Sequence, residues 1–156
     1  MSPRTYLYIL RPGLTAFIAV WLAWQSPALA QSPGHIIVAA NPAFPVDHLT
    51  REEIRAIYLG ETQFIGGTRV TPIDFHRAMP VRRLFLNLVV GMETSGFDAQ
   101  WIHRIFSIGG VPPRRVGSIQ AAMEELSLHP GGLIFLPADT AIPSKNMRLV
   151  WQSERF

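Results

Sequence analysis

Apolar residues fall along the chain in short runs and helical stripes that alternate with turn residues. His35 to Ala40 is a run of strand length with two Ile and a Val. Asn41-Pro42 and Phe44-Pro45 end it, because proline cannot donate to a ladder and restricts the residue before it. A helix is predicted over Arg51 to Leu59. Thr50 is its N-cap, Glu53 completes a capping box, and Leu49 and Ile54 have the spacing of a hydrophobic staple. Ile54, Ile57 and Tyr58 share one face, and Gly60 stands where a left-handed C-cap is wanted. Glu61 to Thr68 reads as a loop with Gly66-Gly67 at its tip. Arg69 to Asp74 is a second strand, which Pro72 assigns to an edge or a bulge.

Pro80 is placed as the first residue of a second helix, with Val81, Leu84, Phe85 and Leu88 at helical spacing and Gly91 closing it. Asp98 is read as the cap of a third helix, with Phe97 and Ile102 as a staple. Trp101, Ile102, Ile105 and Phe106 form its apolar face, and Gly109-Gly110 stop it. Val111 to Gly117 is a loop stiffened by Pro112-Pro113. Ser118 caps a fourth helix that turns Ile119, Ala122, Met123 and Leu126 inward. Leu133 to Leu136 and Met147 to Gln152 are strands, joined by a loop over 137–146. Four strands alternating with four helices make an α/β domain.

The N-terminus changes how the charge is counted. Arg4 and Arg11 precede an apolar run, Leu14 to Trp24, and Ala28-Leu29-Ala30 fits a small-x-small cleavage pattern. The run is shorter than the roughly 20 residues of a membrane span, so residues 1–30 read as an export signal rather than a retained anchor. Its removal leaves 126 residues, enough for one domain, with 12 basic against 11 acidic residues because Arg4 and Arg11 leave with it. The basic residues form no run, which argues against nucleic acid as a partner. Cysteine is absent, which excludes disulfides, thiolate metal sites and a lipoprotein anchor. The expected location is the periplasm.

Two basic clusters carry the candidate chemistry. His76, Arg77, Arg82 and Arg83 gather at the start of the second helix, as a degenerate anion site or as an exposed polar face with Arg82 and Arg83 opposite Leu84 and Phe85. Arg114, Arg115 and Ser118 precede the fourth helix, as a second anion cluster or as a plain N-cap. The five histidines are dispersed without zinc spacing, so no metal is expected. There is no nucleophile elbow, and Glu52-Glu53 and Glu124-Glu125 are adjacent pairs whose side chains diverge. Neither an enzyme nor a cofactor is expected. Trp101, Phe106, Phe85 and Tyr58 read mainly as core, with an uncovered remainder available to a partner.

The order of these pieces resembles a family. N-P, then L-T-x-E-E-I-x-x-I-Y-L-G-E, then V-T-P-I-D-F, R-R-L-F, W-x-x-x-I-F, P-P-R-R-V-G-S and H-P-G-G-L-I-F-L-P cover about Ile36 to Pro137. The set resembles the phosphate ABC transporter group of type II periplasmic binding proteins and their small single-lobe cousins. The resemblance implies a single lobe of that α/β fold, binding rather than catalysis, and a small phosphate-like anion as ligand. It also implies a membrane permease or sensor as partner, with self-association as one way to complete a cleft that one lobe cannot form. The chain departs from the family where an Arg and a Ser-Gly-Thr are expected. Asp74-Phe75-His76-Arg77-Ala78-Met79-Pro80-Val81 stand there, so hydroxyls are missing, Asp74 adds negative charge and Pro80 removes an amide donor, and phosphate binding in the family's manner does not carry over to this chain. The alternative is a periplasmic protein-interaction module that has lost ligand binding.

Overall fold

The first strand, β1 (Ile36–Ala40), is buried along its whole length, which demands strands on both edges and cover on both faces. A computed structural model describes residues 34–140 and 145–154 and supplies both; the expected signal segment, residues 1–30, lies outside them. On one edge β1 pairs antiparallel with β6 (Gly132–Pro137), Val38 opposite Phe135. On the other it pairs antiparallel with β7 (Arg148–Gln152), with a register shift between Val38 and Ala39. Two further strands, β4 (Thr71–Phe75) and β5 (Arg114–Val116), run parallel to β6 and complete a five-stranded sheet in the order β5-β4-β6-β1-β7.

Two of the helices follow their predicted signals closely. The first, α1 (Arg51–Tyr58), has the reciprocal capping box: Glu53 N–H donates to Thr50 Oγ1 at 3.2 Å, and Thr50 N–H donates to Glu53 Oε2 at 2.7 Å. Leu49, Ile54, Ile57 and Tyr58 are buried, and Gly60 takes the left-handed conformation at φ 73°. The fourth, α4 (Ile119–Leu128), begins at Ser118, whose Oγ accepts from Ala121 N–H at 3.1 Å. Asn41, at the turn after β1, is buried and ties two elements together. Its amide donates to Leu126 O at 2.8 Å while its carbonyl accepts from Ala43 N–H at 2.8 Å.

Helices cover both faces of β6. Phe135 stacks on Phe85 with ring centroids 3.9 Å apart and meets Tyr58 edge-on at 5.7 Å. Gly132, of opposite parity, faces α4: a Cβ there would lie 3.0 Å from the Leu126 side chain. Tyr58 also donates its buried hydroxyl toward the carbonyls of Ile73 and Leu133, at 3.1 and 3.2 Å. Among the described residues no helix is long and apolar enough to cross a membrane.

Several predicted elements differ. The loop over Glu61 to Thr68 contains a hairpin, β2 (Phe64–Ile65) with β3 (Thr68–Arg69), turning on Gly66 and Gly67 at positive φ. Val111 to Gly117, also predicted as a loop, contains β5, so the main sheet has five strands. Pro72 lies in neither an edge strand nor a bulge; β4 is interior. Thr71 N–H donates to Gly131 O toward β6, so residue 72 faces β5, where pairing begins only at Ile73. Its missing N–H costs no ladder bond there.

The second helix, α2 (Pro80–Phe85), continues into a π-helical turn, Leu86–Val90, and ends on Gly91 at φ 73°. The wider turn rotates the side chains that follow it. Leu86, Val89 and Val90 are buried, whereas Leu88, predicted inward, is exposed. Carbonyls of this turn accept from Arg51 Nε and Arg55 Nε on α1, at 3.3 and 2.9 Å. The third helix, α3 (Thr94–Ile108), starts a full turn before Asp98, at Glu93. Asp98 is therefore not a cap. Phe97 and Trp101 are buried, while Ile102, Ile105 and Phe106, predicted inward, are exposed, Phe106 at 85%.

Candidate functional site

The parallel strands β4, β5 and β6 end at one side of the sheet, and α2 and α4 begin there. In open α/β sheets this carboxyl edge is where ligands bind. Asp74 occupies the penultimate position of β4 and pairs in register with Arg115 of β5. Its side chain is buried, accepts from its neighbour Phe75 N–H at 2.8 Å, and receives Arg82 Nε at 2.9 Å on Oδ2 and 3.0 Å on Oδ1.

Arg82 extends the network to α3. Its Nη2 donates to Asp98 Oδ1 at 2.7 Å. Arg115 Nη2 reaches the same oxygen at 3.1 Å, and Arg77 Nη2 reaches Asp98 Oδ2 at 2.9 Å. Three guanidinium groups from three separate segments thus converge on one carboxylate. Arg82 is fully buried with its guanidinium 5.5 Å from the Phe97 ring centroid, and its Nη1 has no hydrogen-bond partner. Two carboxylates face three guanidinium groups, which leaves one positive charge in excess.

Burial and hydrogen bonding pull the two acids apart. Burial pushes the Asp74 carboxyl above its ordinary value and outweighs the opposing attraction of Arg82. Partial burial also pushes Asp98 up, but the hydrogen bonds from Arg82 and Arg77 outweigh it and hold the carboxyl below its ordinary value. Asp98 therefore stays ionised at neutral pH.

The six predicted site residues separate into two groups. Arg77, Arg82 and Arg115 come together, although they lie in different predicted clusters. Arg82 is not solvent-facing: it is buried with its guanidinium over the Phe97 ring, and of the two only Arg83 keeps an exposed place. The His76 ring is exposed next to the network, and its backbone N–H donates to Val116 O at 2.8 Å. Arg114 belongs elsewhere, paired with Glu125 at 2.7 Å, which His129 also contacts at 3.2 Å. Ser118 is an N-cap. Sequence reasoning missed the convergence on Asp98. The available signal was Asp74 within the apolar strand, since a buried carboxylate calls for a cation, and Arg82 between Val81 and Phe85 answers it.

A groove of about 600 Å³ lies at the opposite, amino edge of the same strands, beside Thr71, Trp101 and Ile108. Of its arginines, Arg104 donates from Nη2 to Gly60 O at 2.9 Å, just past α1, and Arg114 pairs with Glu125 at 2.7 Å. Among the described residues no group of three His, Cys, Asp or Glu could hold a metal ion.

No family model and no curated protein matches the chain. Solved structures do. An ABC-type phosphate transport receptor from Vibrio cholerae superposes with a TM-score of 0.57 at 17% identity, over 76% of this chain and 47% of that one. A putative phosphate ABC transporter substrate-binding protein with bound phosphate from Clostridium perfringens gives 0.59 at 13%, over 76% and 45%. PstS from Borrelia burgdorferi gives 0.55 at 15%, over 75% and 47%. The fold is that of one lobe of such a protein. The chain spans less than half the length of these structures, and at these identities the likeness establishes architecture alone.

Proposed function

We propose that the chain is an exported, periplasmic solute-binding-type lobe that takes a small oxyanion of the phosphate class at the carboxyl edge of its parallel strands. Arg77 and Arg115 meet the ligand from solvent, and Arg82 backs them from the interior. One observation carries this reading: the site already holds an anion, the Asp98 carboxylate, through three guanidinium groups at 2.7–3.1 Å. Charge-assisted bonds of this kind are how arginines recognise carboxylate and phosphate. The fold neighbours support the ligand class, and a membrane permease would be the receiving partner. Titration calorimetry of the chain with phosphate and sulfate tests it. The expected result is saturable heat that Arg115→Ala abolishes; no heat with either anion from folded protein overturns it.

A second reading, a protein-interaction module, is favoured by a different observation. The outer face of α3 exposes Ile102, Ile105 and Phe106, while the exposed Ile108 and Val111 line the groove at the amino edge. Contiguous apolar surface of this sort marks contact with another protein. A second copy of the chain covering this face would also give the lone lobe a neighbour.

A further inference from the structure

We infer that Asp98 is a tethered competitor for the anion site, a carboxylate of the chain's own that occupies the position an incoming anion takes and thereby sets the affinity and size of what can bind. The inference rests on the anion reading above and adds to it a residue that limits it.

The two acids of the network are built differently. Asp74 is locked by a backbone N–H and by Arg82 on both oxygens, and its side chain is only 3% exposed. Every hydrogen bond described for the Asp98 carboxylate comes from an arginine side chain, and the group reaches solvent at 16%. Two of its three donors are more open still, Arg77 at 67% and Arg115 at 46%. An anion arriving from water therefore meets Arg77 and Arg115 first, and it can displace Asp98 without disturbing the buried Asp74–Arg82 pair. Asp98 lies inside a regular helix, so it can turn away by rotating its side chain with the backbone held. With Asp98 ionised in place the network has one positive charge in excess; with it removed there are two. The position it vacates is the size of a carboxylate, which favours formate or bicarbonate at that spot and larger oxyanions extending toward solvent.

The test compares the unsubstituted chain with Asp98→Ser, titrated with formate, phosphate and sulfate at constant ionic strength. Asp98→Ser is expected to bind at least one of these about tenfold more tightly or better, and adding Arg115→Ala is expected to remove the gain. If Asp98→Ser does not fold, Asp98→Asn keeps the shape, and the same anions should raise its Tm more than that of the unsubstituted chain. A folded variant that binds no more tightly, or an Asp98→Asn Tm that responds no more strongly, overturns the inference. Where the unsubstituted chain binds and the variant gains nothing, the competitor role alone fails. Where neither chain binds any anion, the anion reading fails with it.

Discussion

Arg82 and Asp74 are joined at 2.9 Å in a setting where neither side chain meets solvent, at 0% and 3% exposure. A buried pair of this kind adds little over an apolar replacement of both partners, but losing one partner strands the other's charge. Arg82→Ala, which leaves the Asp74 carboxyl buried, is expected to destabilise the chain by about 3–5 kcal/mol, and Asp74→Ala by less, because Asp98 still holds Arg82 Nη2 at 2.7 Å. Arg77→Ala, whose side chain is mostly in water, should change stability by less than about 1 kcal/mol. Urea midpoints of the three variants check this. Equal losses would show that the interior pair has no special standing.

The same network makes stability depend on pH. Asp98 is held below its ordinary value of 3.8, so its contribution is fully present above that value and is lost as pH falls through the lower folded pKa. Asp74 runs the other way. Its folded pKa lies above 3.8, so its folded form keeps the proton longer, and its term weakens stability as pH rises from 3.8 toward that value. The stability gap between the unsubstituted chain and Asp98→Asn should therefore shrink as pH is lowered beneath the ordinary carboxylate range. Urea unfolding at stepped pH measures it, and a gap independent of pH would remove the electrostatic account.

Two glycines separate space from conformation. Gly67 has φ 79° with nothing near a would-be Cβ, so Gly67→Ala carries only the left-handed penalty, about 1–2 kcal/mol. At Gly131 a Cβ would sit 1.9 Å from the Arg69 carbonyl oxygen, so β3 and β6 could not keep their approach. Gly131→Ala should cost about 3 kcal/mol, at the upper end for overpacking. Thermal unfolding of both variants ranks them; the reverse order would mean that the chain relaxes freely at Gly131.

How much could be read in advance follows from where each signal resides. Caps, staples and left-handed glycines are local, and Thr50, Ser118, Gly60 and Gly91 all stand as predicted. Strand β5 has no local signal. Arg114 and Arg115 are exposed, and the segment is extended because β4 lies beside it. On α3 the inward stripe runs Phe97, Asp98, Trp101, Arg104, with two charged residues that an apolar periodicity assigns outward. The period was present; the face was rotated. The site suffered in the same way, because Asp98 before an apolar run has the look of a cap until Arg77, Arg82 and Arg115 are seen around it.

That rotation leaves an apolar face to account for. If a second copy covers it, the chain should self-associate with rising concentration, and Phe106→Asp with Ile102→Asp should leave a monomer of unchanged Tm, since both side chains are exposed. Sedimentation velocity over a concentration series decides it. A chain that stays monomeric throughout removes the second copy from consideration.

The most direct test of the anion site is an NMR titration with phosphate that follows the arginine Nε–Hε resonances. Arg77 and Arg115 should shift saturably with one common affinity and Arg82 should shift with them, while Arg114 and Arg104, held by Glu125 and Gly60, should stay in place. Shifts spread evenly over all arginines, or confined to Arg114 and Arg104, would place anions elsewhere and contradict a ligand site at the carboxyl edge.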